Sequence, residues 1–197
     1  MKTITQNNHY NSSDYVIPLS IDINGIQDIF KENYNKKQEV FLNSHPMLDS
    51  VLNLMPKELH QHLITDRVWV GYFHNQRRSK QFIPIHRDNH HDNIRFPCSI
   101  NIPVFGCNEQ ITTSFWEPVE DVVGKKMKRS EAYHMGELTH AYEFALIDKP
   151  VLFNNQKWHS VFNPLPQSHE RAIIIFKFNN NKTDWKFFKE LTQHLVL

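Results

Sequence analysis

Residues 81–103, QFIPIHRDNHHDNIRFPCSINIP, decide how the rest of the chain is read. An apolar run, Phe82-Ile83-Pro84-Ile85, leads into His86-Arg87-Asp88. A polar loop, Asn89 to Asn93, follows. The chain then re-enters an alternating run, Cys98-Ser99-Ile100-Asn101-Ile102. Successive side chains of a strand point to opposite faces, so residues two apart share one face. A strand through His86 and Asp88 therefore delivers an imidazole and a carboxylate side by side. Together they make two thirds of a metal site.

A third ligand is available far down the chain. Val151-Leu152-Phe153 reads as a short buried strand, and His159 follows it after Asn154 to Trp158. Twelve residues beyond His159, Arg171 opens another apolar run, Ala172 to Phe178. Two imidazoles and one carboxylate, with the rest of the coordination sphere open, suit Fe(II). In order and spacing, His86, Asp88, His159 and Arg171 resemble the Fe(II)/2-oxoglutarate-dependent oxygenase superfamily. The resemblance covers about residues 66–178. It implies a double-stranded β-helix (jelly roll, cupin-like) core, with His86, Asp88 and His159 as metal ligands and catalytic centre. It also implies Arg171 as the group that binds the distal carboxylate of 2-oxoglutarate, with O2 as oxidant. A bidentate guanidinium matches a carboxylate in a partly dry pocket.

The pattern has departures and alternatives. His90-His91-Asp92 is a second His-x-Asp, but it lies in a loop, where a metal ligand has less fixed geometry. Many relatives carry Ser or Thr two positions after the Arg; here it is Ile173, so another group must complete the co-substrate site. Asn101, Tyr72 and Arg95 are the candidates. Asn101 is polar within an apolar run and needs a partner if it faces inward. Arg95 resembles an Arg of the aspartyl/asparaginyl hydroxylase branch; pairing with Asp92 is its alternative. Trp69, Trp116 and Trp158 read as core, with Trp158, beside His159, the one able to contact substrate. Asp88 supplies the carboxylate that halide-binding relatives lack, which disfavours halogenation. A cupin-like metal sensor is the competing class, but His-x-His followed by Glu is absent around His86. A degenerate interaction barrel is a third, opposed by the presence of all four residues.

Composition narrows the class. The chain has 197 residues, enough for one domain with a substantial core. A net charge of +1 gives no sign of nucleic acid or an anionic membrane as partner. Two Cys make no disulfide framework, and Cys98 falls in a buried pattern. No signal-peptide h-region or membrane-span run is present, so a soluble cytoplasmic protein is expected. Most of the 13 His must be bystanders, because a mononuclear site uses two or three.

The expected organisation is mainly β with flanking helices (α+β). Residues 1–14 read as a flexible tail and 15–197 as one domain. Val16 to Ile23 reads as a strand, with Pro18 placing it at an edge. Helical spacing marks Ile26 to Tyr34, Met47 to Met55, Leu59 to Leu63 and residues 184–196. Short strands are expected at Val68–Phe73, Phe82–Ile85, Cys98–Val104, Thr112–Trp116, Tyr142–Ile147, Val151–Phe153, Ser160–Phe162 and Ala172–Phe178. Residues 117–140, with four basic residues between Lys125 and Arg129, read as an insertion or lid loop. The C-terminal helix carries Trp185, Phe188, Leu191 and Leu195 on one face, to pack on the sheet or, alternatively, to dimerise. The expected substrate is a small molecule or amino acid, with a peptide possible, and the protein a monomer or homodimer.

Overall fold

A computed structural model describes residues 1–33, 46–64, 69–74, 82–88, 96–119, 131–133, 136–166, 169–178 and 184–196. Arg95 and the pair His90/Asp92 lie outside these residues, as do Lys125 to Arg129. Along the chain come β1 (Lys2–Gln6), β2 (Val16–Pro18), α1 (Asn24–Asn33), α2 (Pro46–Asn53) and α3 (Lys57–His60). The strands β3 (Trp69–His74), β4 (Phe82–Asp88), β5 (Cys98–Phe105), β6 (Thr112–Pro118) and β7 (Glu131–Tyr133) follow. Then come β8 (Leu138–Ala145), β9 (Val151–Asn154), β10 (Trp158–Phe162), β11 (Glu170–Lys177) and α4 (Trp185–Leu191).

Two antiparallel sheets result. One has the order β1-β8-β6-β10-β4-β7, the other β2-β9-β5-β11-β3. From β3 onward the pairing is nested: β3 with β11, β4 with β10, β5 with β9 and β6 with β8. That half of the chain behaves as one long hairpin whose arms pair from the outside in.

Alternation along β5 explains the layering. Cys98, Ile100, Ile102 and Val104 point to one face and are buried with Ala172, Ile174 and Phe176 of β11. The helices cover this face through Ile26, Phe30, Val51, Leu59 and Phe188. α4 starts where the Asp184 carboxylate accepts from the Phe187 backbone N–H. It docks by Phe188 against Phe178, with ring centroids 4.3 Å apart. The opposite residues, among them Ile173 of β11 and Val151 and Phe153 of β9, face the other sheet. There they meet Phe115, Tyr142 and Phe144 in a second core. The molecule is thus three layers deep, with helices, one sheet and the other sheet in succession.

Four expectations are corrected. Residues 2–6, read as tail, form an edge strand on β8, because backbone pairing needs little apolar surface. Its Thr3 hydroxyl hydrogen-bonds the buried Tyr142 hydroxyl at 2.9 Å. The segment 117–140 is not all loop, since β6 runs to Pro118, β7 lies within it and β8 begins at Leu138. β4 runs three residues past the Phe82–Ile85 bounds, to Asp88, and so carries His86 and Asp88 on one strand as expected. β10 begins at Trp158, two residues before the expected start at Ser160, so His159 lies inside the strand. The edge position read from Pro18 agrees with the sheet order, where β2 is outermost. α4 packs on the core as expected.

Gly106 ties the end of β5 to the start of β11. Its φ is +65°, and a Cβ there would sit 1.8 Å from the Glu170 carbonyl oxygen. Only glycine permits so close a backbone approach. His169 reinforces the contact through Nε2, which donates to the Gly106 carbonyl at 2.6 Å. The start of the strand that carries Arg171 is fixed this way.

Candidate metal centre

β4 presents His86 and Asp88 on one face, as its period of two requires. Its neighbour β10 runs antiparallel and places His159 directly opposite His86. Directly opposed residues share a face with Cβ atoms roughly 5 Å apart. The two imidazole centroids are 4.3 Å apart. One donor atom from each of His86, Asp88 and His159 lies within 4.8 Å of the others. The His86 Nε2 to Asp88 Oδ1 distance is 3.7 Å.

Both rings are held in one tautomer by the same local device. His86 Nδ1 is 2.8 Å from the Pro84 carbonyl, and His159 Nδ1 is 2.9 Å from the Lys157 carbonyl. A carbonyl only accepts, so each Nδ1 carries the proton and donates it. Each Nε2 is left with a lone pair, the form a metal ligand needs. Both partners lie two residues before the histidine, so strand geometry itself selects the tautomer.

The walls set the electrostatics. His159 is buried, with Phe153 of the facing sheet edge-on at 4.9 Å and Phe115 at 6.0 Å. Burial, with the neighbouring His86 second, depresses the His159 pKa to about 4, so the ring is neutral near pH 7. Burial alone would raise the Asp88 carboxyl. The Lys177 ammonium first, then His159 and His86, more than offset this and hold it down at about 2. Neutral imidazole and ionised carboxylate are the states that bind a cation.

Lys177 was not among the residues singled out from sequence. It ends β11 in the facing sheet, and its Nζ lies 3.4 Å from Asp88 Oδ2. The same ammonium lies over the Phe96 ring, 4.9 Å from its centroid. A lysine at the end of an apolar strand, on the parity of Arg171, was the only signal available.

Arg171 is 4% exposed near the start of β11. Its parity is that of Ile173, Ile175 and Lys177, the row that faces the other sheet. Six residues of strand separate the two cations by about 20 Å along the backbone. Asn101 lies on the corresponding face of β5 and is half-buried. Its Oδ1 accepts from the Ser99 hydroxyl at 2.9 Å, and that hydroxyl also lies 3.2 Å from Asn155 Oδ1. Tyr72 lies in β3 opposite Ala172, and only its backbone falls among the described residues. Trp158 is on the other face of β10 from His159. The Arg87 guanidinium covers its ring at 4.2 Å. It therefore does not face the triad.

The donor set fits a divalent cation. Bonds of about 2.1 Å at right angles place neighbouring donors about 3 Å apart. The 3.7 Å His86–Asp88 separation needs only a small closure of side chains. Two nitrogens and one oxygen, without thiolate, suit a first-row divalent metal ion. No protein-family model matches the chain, and no curated protein matches it. No helix among the described residues is long and apolar enough to cross a membrane.

Proposed function

We propose that this protein is a non-heme Fe(II)- and 2-oxoglutarate-dependent dioxygenase. It hydroxylates an unactivated C–H of a small molecule or amino-acid side chain. The observation that carries the reading is the convergence of His86, Asp88 and His159 donors within 4.8 Å, between two sheets. The nested strand pairing supports a double-stranded β-helix core, since that fold is a long hairpin rolled into two facing sheets. Buried Arg171, on the inner side of β11, supports a dicarboxylate co-substrate.

Bound in this centre, Fe(II) with 2-oxoglutarate and O2 supplies the oxidising power, and the keto acid leaves as succinate and CO2. The chain's own part is to hold and to exclude. His86 and His159 offer fixed Nε2 lone pairs, and Asp88 stays ionised beside Lys177. Phe115 and Phe153 keep water from one side of His159. Arg171 binds the distal carboxylate and so orients the keto acid.

Anaerobic addition of Fe(II) and 2-oxoglutarate should give a weak visible charge-transfer band, absent in His159→Ala. Substrates then follow from stimulated succinate release across an amino-acid and metabolite panel. Metal binding with no band would instead assign a metal-binding or sensing role without turnover.

A further inference from the structure

The two carboxylate oxygens of Asp88 have different neighbours. Oδ1 lies 3.7 Å from His86 Nε2. Oδ2 is 3.4 Å from the Lys177 ammonium, which comes from the opposite sheet. Lys177 is itself confined. Its side chain is 15% exposed and its charge lies against the face of Phe96. Its strand neighbour on β5 is Ser99, whose hydroxyl is engaged by Asn101 and Asn155. The ammonium is therefore held at Oδ2, the oxygen that the His86 contact leaves.

We infer that Lys177 is a positioning residue that keeps Asp88 a one-oxygen ligand. This rests on the function proposed above and adds to it. A free carboxylate can bind a cation through one oxygen or through both. With both, two imidazoles and the acid fill four of six octahedral positions, and two remain. With one, three remain. A chelating keto acid needs two positions and O2 needs a third. Occupying Oδ2 from the other sheet leaves Oδ1 alone for the metal and preserves the third position. The ammonium also stands near the cation and repels it, so the contact does nothing for metal affinity as such.

This makes an unusual prediction. Lys177→Met should bind metal as tightly as the unsubstituted protein or tighter, because chelation by Asp88 becomes possible and a repulsive charge is gone. The same variant should still bind 2-oxoglutarate, in the two positions that chelation leaves, and should show the shorter metal–carbon distance of a chelating carboxylate in X-ray absorption at the cobalt edge. Lys177→Arg should stay near the unsubstituted values, since it restores a donor at Oδ2. The experiment is an anaerobic titration of metal-free protein with Co(II), then with 2-oxoglutarate, followed by the visible spectrum. Thermal melts run alongside.

If the unsubstituted protein takes up neither Co(II) nor 2-oxoglutarate, the proposed function fails. If it takes up both, and Lys177→Met behaves identically or loses metal, the role of Lys177 is overturned while the function stands. X-ray absorption at the cobalt edge of the unsubstituted protein decides the point even if a variant does not fold. A one-oxygen carboxylate supports the inference. The shorter metal–carbon distance of a chelating carboxylate refutes it.

Discussion

Acid should destabilise the metal-free protein through His159. The ring's pKa is about 4 in the folded chain, against 6.5 when exposed. Between those values the unfolded chain binds the proton and the folded chain refuses it. Stability therefore rises with pH across this window and falls on acidification. Integrating the two titrations gives a loss, relative to pH 8, of roughly 1 kcal/mol at pH 6 and about 2–3 kcal/mol at pH 4.5. Asp88 does not confuse the reading at pH 4.5. Its folded pKa of about 2 and unfolded value of 3.8 place its own acid loss almost wholly below that pH. Urea unfolding with chelator present, at pH 8 and pH 4.5, measures the total loss. The same pair of measurements on His159→Asn isolates the histidine, because the other titrating groups are common to both. The loss should be smaller in the variant by about 2–3 kcal/mol, or roughly 5–10 °C in melting temperature for a chain of this size. Equal losses would refute the buried, neutral His159 and with it the geometry of the centre.

Other outcomes follow from the same coordinates. Arg171→Ala should raise the dissociation constant for 2-oxoglutarate by roughly 30-fold or more, as expected when one member of a buried charge pair is removed, with Arg171→Lys intermediate; binding calorimetry checks both. Gly106→Ala places a methyl 1.8 Å from the Glu170 carbonyl oxygen at positive φ. It should cost about 2 kcal/mol or more and weaken 2-oxoglutarate binding, since the start of the Arg171 strand must move. Phe188→Ala empties a fully buried site between α4 and the sheet and should cost about 3–5 kcal/mol in chemical denaturation. Retention of full stability would detach α4 from the core.

The legible part of this chain was local. Cys98 to Val104 and Ala172 to Phe178 were readable because alternation and β-branched content act over a few residues. The expected strand at Phe82–Ile85 was too short by three residues. His86-Arg87-Asp88 is polar and was taken for the strand's end, whereas pairing on both sides extends it. β1 was missed for a related reason. Its exposed Thr and Gln side chains give no pattern, and its order comes from backbone bonds to a strand far away in sequence. Trp158 was weighed as a substrate contact because it is adjacent to His159. Adjacency in a strand puts it on the opposite face, under Arg87.

The amino-acid order alone was enough to put His86 and Asp88 on one side of a strand, to mark His159 and Arg171 as chemically suited partners, and to place helices against a β-rich core. Those inferences need only the period of a strand and the chemistry of side chains. Which histidine meets which, and where each proton sits, came from the register of β10 on β4. The Lys177–Asp88 contact spans 89 positions and two sheets, and no sequence period reaches that far. Long-range register depends on the whole pattern of strand pairing and on how two sheets close over one interior. That is a property of the folded chain taken together, and it is what brings His86, Asp88 and His159 into one cluster.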